Sequence, residues 1–185
     1  MKFRTSICVA LLLIGTSARA TEFKTIDVGA SRLGFVYKQM GVAMDGRFAK
    51  FNGRMLFDPT KPSQGSANLE LDLASIDTGT EADAEVQGKA WFNSAAFPKA
   101  TFTSTQIVPT GPGTFDVQGK LTIKGKTVDL RAPVRFTEKN AVGTFQGSFT
   151  IRRADFAIGE GSWSKFDVVA NEIRIDFFLV ARPGR

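Results

Sequence analysis

Val128-Asp129-Leu130-Arg131-Ala132-Pro133-Val134-Arg135-Phe136 sets an apolar residue at every second position, with Asp129, Arg131 and Arg135 between them. Such alternation turns one set of side chains to a dry face and the other to water, as in a strand covered on one side. A helix would spread Asp129, Arg131 and Arg135 around its circumference. The same period recurs on both sides of this stretch. It appears in Leu69-Glu70-Leu71-Asp72-Leu73, in Phe115-Asp116-Val117-Gln118 resuming at Leu121-Thr122-Ile123, in Phe145 to Ile151, and in Ile173-Arg174-Ile175-Asp176-Phe177. Ser31 to Tyr37 and Phe48 to Phe57 read as two further strands, the second broken near Gly53. Asp58 to Ser63, Pro109 to Gly113 and Gly159-Glu160-Gly161 carry turn and loop chemistry. Lys124-Gly125-Lys126 between two alternating runs predicts a tight hairpin. About eight strands result, enough to close a small antiparallel all-β barrel.

One segment reads as helix, over residues 81–93. Thr80 and Asp83 stand in a capping arrangement, and Val86, Ala90 and Trp91 share one face. Gly88 weakens the helix by about 1 kcal/mol relative to Ala. Pro98 stops any continuation. A lone helix among strands suits a lid at one end of a barrel or an element packed on its wall.

The first twenty residues predict export. Lys2 and Arg4 precede the apolar run Ile7 to Ile14, and Ala18-Arg19-Ala20 has the form of a cleavage site. Residues 1–20 therefore read as a cleaved signal peptide and residues 21–185 as one domain, periplasmic or secreted. The leader takes Lys2, Arg4 and Arg19 with it and no acid, so it removes half of the formal charge of +6. The remainder is a solubility feature and no nucleic-acid footprint.

The chain has no histidine, and its single cysteine, Cys8, lies in the leader. A serine triad lacks its imidazole, a cysteine nucleophile is absent, and zinc, copper and haem lose their usual ligands. Glu70, Asp72, Asp129 and Asp176 occupy outward positions of alternating strands, which argues against paired catalytic carboxylates. Ser63, Ser66 and Ser148 stand in no nucleophile motif. No catalytic residue, metal or cofactor is expected.

Seventeen phenylalanines outnumber one tyrosine and two tryptophans. Composition leaves open whether they plug the barrel or surround a ligand. Several features lean toward a cavity. Met40, Met44 and Met55 lie close in sequence beside Phe48 and Phe51, and methionine suits an adaptable apolar surface. Trp91-Phe92 and Phe97 cluster where a barrel mouth is expected, and Trp163 sits in a Gly/Ser loop. Lys38, Arg47, Lys89 and Lys165 flank these aromatics and could meet an anionic or polar head group.

Ser31-Arg32-Leu33-Gly34-Phe35 with Met40-Gly41 and Gly46-Arg47-Phe48 resembles the opening of the YceI-like family. Phe57-Asp58-Pro59, Ala74 to Gly79, Trp91-Phe92, Phe97-Pro98, Phe102 to Ser104, Gly119 to Gly125, and Arg153-Ala154-Asp155-Phe156 with Ile158-Gly159 are similar to its later blocks. The resemblance implies a lipocalin-like barrel around an apolar tunnel that holds a polyisoprenoid, an isoprenoid quinone or a related lipid without catalysis. It departs from the common pattern at Gln39, where many members carry His, and at Ala82 to Val86. The expected tunnel lining is Leu33, Phe35, Met40, Met44, Phe48, Trp91, Phe92, Phe102, Trp163 and Phe177. A competing reading makes the chain an interaction module, its barrel filled and its aromatic loops docking on a membrane or redox partner. Transient membrane contact and a homodimer both stay open at this stage.

Overall fold

The alternating runs become antiparallel strands in the structure, a computed structural model that describes residues 21–184. The predicted signal peptide lies outside the described residues. There are eleven strands: β1 (Phe23–Ile26), β2 (Arg32–Gln39), β3 (Val42–Phe48), β4 (Phe51–Phe57), β5 (Ser66–Asp72), β6 (Ile76–Asp77), β7 (Lys99–Gly111), β8 (Thr114–Ile123), β9 (Lys126–Lys139), β10 (Val142–Arg152) and β11 (Glu172–Pro183). Three pairs of short strands act as single bent staves. Both β1 and β2 pair with β11, β3 and β4 continue one another beside them, and β5 and β6 follow. With β7 to β11 they make a closed antiparallel barrel of eight staves in simple meander order. This is a lipocalin-like fold.

The turns explain the order. Lys124 and Gly125 both have positive φ (49° and 72°), the signature of the type I′ turn that matches strand twist. Met40-Gly41 and Asn140-Ala141 turn β2 into β3 and β9 into β10 in the same way. The break predicted near Gly53 falls instead at Ala49-Lys50, and β4 runs straight through Gly53 opposite Leu69. Lys50 N–H turns to the Ser75 hydroxyl there, which bends β3–β4 and β5–β6 together. The alternation of β7 is concealed by a bulge between Ser104 and Gln106, which switches the inward set from Ala100 and Phe102 to Ile107.

The helix is shorter than its pattern suggested. Only α1 (Asp83–Val86) is helical, and turns carry the chain on to Phe97. Asp83 does not complete a cap with Thr80. Its carboxylate accepts from the N–H and hydroxyl of Thr78, at 2.8 and 2.6 Å. Gly88 N–H then bonds the Glu85 carbonyl three residues back, closing the helix after one turn.

The two ends of the barrel are filled differently. At the β1 end the Phe57 ring lies 5.0–5.3 Å from Phe115, Phe136 and Phe145, and Phe23 packs edge-on to Phe136. These rings form a dry plug. At the α1 end a second cluster gathers Leu73, Ile76, Trp91, Phe156, Ile158 and Val169.

The β9–β10 ladder stops at the pair Val134–Gly147. Pro133, which has no N–H to donate, sits at that stop. A Cβ on Gly147 would run into the Pro133 carbonyl oxygen and the Phe177 ring. Gly147→Ala should therefore destabilise the barrel by about 2 kcal/mol or more, read as a lower urea midpoint. An unchanged midpoint would show that this close approach is relaxed at no cost.

Candidate ligand-binding cavity

Between the two filled ends the barrel is hollow. A cavity of about 290 Å³ runs inside it, lined by the inward residues of every long strand. On β8 these are Phe115, Val117, Leu121 and Ile123. That run covers about 25 Å of strand, or about 20 Å along the axis of a tilted barrel. Phe102, Phe149, Ile173, Ile175 and Phe177 point inward yet stay only half-buried, because they border the cavity; Phe149 and Phe177 touch at its wall, with ring centroids 6.3 Å apart. The competing reading of a filled barrel does not hold for this middle section.

Eight of the ten residues expected from the sequence lie on the cavity wall: Leu33, Phe35, Phe48, Trp91, Phe92, Phe102, Trp163 and Phe177. Met40 and Met44 do not. Met40 is the first residue of the β2–β3 turn, with φ of 50° and 76% of its surface exposed. Met44 stands half-buried opposite Tyr37 but does not line the cavity. Nearness in sequence misled here, because a two-residue turn throws its own side chains out of the sheet. Met55, inward on β4, does line the cavity.

The four flanking cations leave the wall as well. Lys38, Arg47, Lys89 and Lys165 are exposed and none lines the cavity. Arg47 pairs with Asp77 at 2.7 Å. Lys89 and Lys165 contribute their backbone carbonyls instead, to the two cations described next.

Arg153 was assigned no role from the sequence, yet it organises the α1 end. It is 2% exposed and pairs with no carboxylate among the described residues. Its guanidinium donates to six backbone carbonyls, those of Ile158, Gly159, Trp163, Lys165, Val169 and Ala170, at 2.7–3.2 Å. It also lies over the Trp91 and Phe166 rings, at 5.6 and 4.9 Å. Burial pushes its pKa below the ordinary arginine value, but guanidinium remains protonated in proteins. The sequence did hold a signal: the inward parity of Phe149 and Ile151 on β10, carried two residues further, reaches Arg153.

Lys124 makes a second clasp. Its buried ammonium donates to the Lys89 and Ala157 carbonyls and to Glu160, at 3.0, 2.7 and 2.7 Å. This ties the β8–β9 turn to the exit of α1 and to the loop after β10. Trp91 and Trp163, the two tryptophans of the chain, pack 5.3 Å apart beside it. The Trp91 indole N–H is buried there without a hydrogen-bond partner.

Exposed residues on the wall mark where the cavity meets water. Gln39, Ala82 and Glu85 lie together at one mouth, beside Tyr37 and Thr78, and Ser66 touches the cavity elsewhere. Glu85 and Arg153 are the only charged residues of the lining. Among the described residues no group of three or more His, Cys, Asp or Glu could hold a metal ion.

A hollow up-and-down barrel with an almost wholly apolar interior defines a lipocalin-like binding barrel. The YceI-like domain model matches residues 25–181, and the chain belongs to that family. It is 34% identical over 146 residues to a UPF0312 protein of Photorhabdus laumondii, covering 76% of this chain and 75% of that one. It is 32% identical over 158 residues to a UPF0312 protein of Yersinia pestis, covering 80% and 82%. Among solved structures it is similar to BcnA of Burkholderia cenocepacia, with 42% identity and a TM-score of 0.82 over 84% of this chain and 99% of that one. A polyisoprenoid binding domain from Saccharophagus degradans shares the fold at 20% identity, with a TM-score of 0.71 over 89% and 99%.

Two outcomes test the clasps. Arg153→Leu strands six carbonyls and should cost about 3 kcal/mol or more in urea unfolding, with a shift in tryptophan emission. A loss under about 1 kcal/mol would show that water replaces the guanidinium. The Lys124 ammonium holds the Glu160 carboxyl below the usual glutamate range. A depressed acid stabilises above its ordinary pKa, and that contribution disappears as pH falls through the depressed value. Tryptophan emission should therefore change on acidification in the native chain, with this component absent in Glu160→Gln. Identical titrations of the two proteins would rule the clasp out.

Proposed function

We propose that this chain is an exported carrier that holds one long apolar molecule lengthwise in its barrel and leaves it chemically unchanged. The carrying observation is the row of inward residues, Phe102, Phe149, Ile173, Ile175 and Phe177, that face a cavity instead of a packed core. The volume is about twice that of a 150 Å³ protein cavity that accepts benzene, drawn out along about 20 Å of barrel. That shape suits a linear isoprenoid, quinone tail or acyl chain. A polyisoprenoid ligand is named for the Saccharophagus domain of the same fold, which favours the isoprenoid among these.

The energetics need no polar contact. Covering a hydrocarbon chain yields about 0.3 kcal/mol per heavy atom for ligands of this size. Twenty carbons then give about 6 kcal/mol, and each further isoprene unit adds about 1.5 kcal/mol. The chain sets affinity and the head sets orientation. Without histidine, and with its one cysteine in the predicted leader, the chain offers no imidazole base to activate a hydroxyl and no thiolate beside the tunnel, which supports carriage over chemistry. Export is supported by the form of residues 1–20.

Native mass spectrometry of protein from a periplasmic fraction, with solvent extraction of any adduct, tests the reading. A co-purifying apolar adduct is expected, along with uptake of an apolar fluorescent probe that changes tryptophan emission. A clean apo mass together with no probe uptake would overturn the carrier. Phe102→Asp, which sets a charge in the wall, should abolish uptake; full uptake by a folded variant would move the ligand out of this cavity.

A further inference from the structure

The mouth of the cavity carries information about the head group that the apolar wall does not. Its lining side chains are Tyr37, Gln39, Thr78, Ala82 and Glu85. None is cationic, and Glu85 is an exposed carboxylate. Asp83 stands just behind, bonded to Thr78. The cations of this region are either spent or turned away. Every donor of Arg153 is taken by backbone carbonyls, and so is the Lys124 ammonium by two carbonyls and Glu160. Arg47 is paired with Asp77, and Lys38, Lys89 and Lys165 lie off the wall.

An anionic head at this mouth would meet a like charge and find no free guanidinium or ammonium to receive it. A neutral head finds hydroxyl and amide groups that both donate and accept. We propose that the mouth selects a ligand with an uncharged polar head, an alcohol or a carbonyl, and rejects phosphate and carboxylate heads. This rests on the carrier reading and narrows its ligand class.

The test compares two probes with one chain, geranylgeraniol and geranylgeranyl monophosphate, below their aggregation limits at neutral pH. Each displaces N-phenyl-1-naphthylamine from the purified protein. The alcohol should compete at least tenfold better than the phosphate. Glu85→Lys should narrow that gap threefold or more by improving the phosphate. A phosphate that competes equally or better in the native protein overturns the head-group inference and leaves the carrier standing. An unchanged gap in Glu85→Lys overturns the role of the mouth carboxylate. If neither compound binds the folded protein, the carrier reading itself fails.

Discussion

Closure of the sheet between β1 and β11 is the constraint on which the rest depends. Ile26 pairs with Ala181 and Phe23 with Pro183, so the first and last strands join and the main chain holds the wall in register. A wall held by backbone hydrogen bonds does not need its middle filled. An open sheet with the same inward face would have to bury Phe102, Phe149 and Phe177 against another layer. Here they can border a void, because the ladder on each side and the filled ends carry the stability.

The ends then take unlike roles. The β1 end is filled by apolar side chains, with edge-on contacts among Phe23, Phe57, Phe115, Phe136 and Phe145. The α1 end is built from irregular chain, whose carbonyls must find donors once they leave the ladder. Arg153 supplies them at a single point, and Lys124 ties that loop to the β8–β9 turn. A polar device is therefore needed at the end where the chain is least regular, and that end also holds the mouth. The same two cations, saturated by carbonyls and, for Lys124, by the Glu160 carboxylate, have no free donor left.

Much of the wall was legible in the chain. Period two marks the inward faces of β5, β8, β9, β10 and β11, and turn residues mark the hairpins, because both are local properties. Where the local rule is broken, legibility fails. The bulge at Ser104–Gln106 flips parity within β7, and the bend at Ala49-Lys50 was misplaced to Gly53 because a glycine resembles a break. Met40 and Met44 looked like lining from composition, whereas turn geometry exposes the first, and the second, though paired with the lining residue Tyr37, is not part of the cavity wall.

The sequence by itself determined an antiparallel barrel, an apolar inward face, and the lack of histidine chemistry, since alternation and composition need no knowledge of distant contacts. Only the tertiary structure decided that the middle is hollow. Whether inward phenylalanines meet one another or face space depends on the barrel's diameter and stagger, which no single strand encodes. It also decided that Arg153 and Lys124 are saturated while Glu85 is left at the mouth. Those pairings join residues far apart in the chain, and they exist only once the β8–β9 turn, the α1 segment and the loop after β10 have come together.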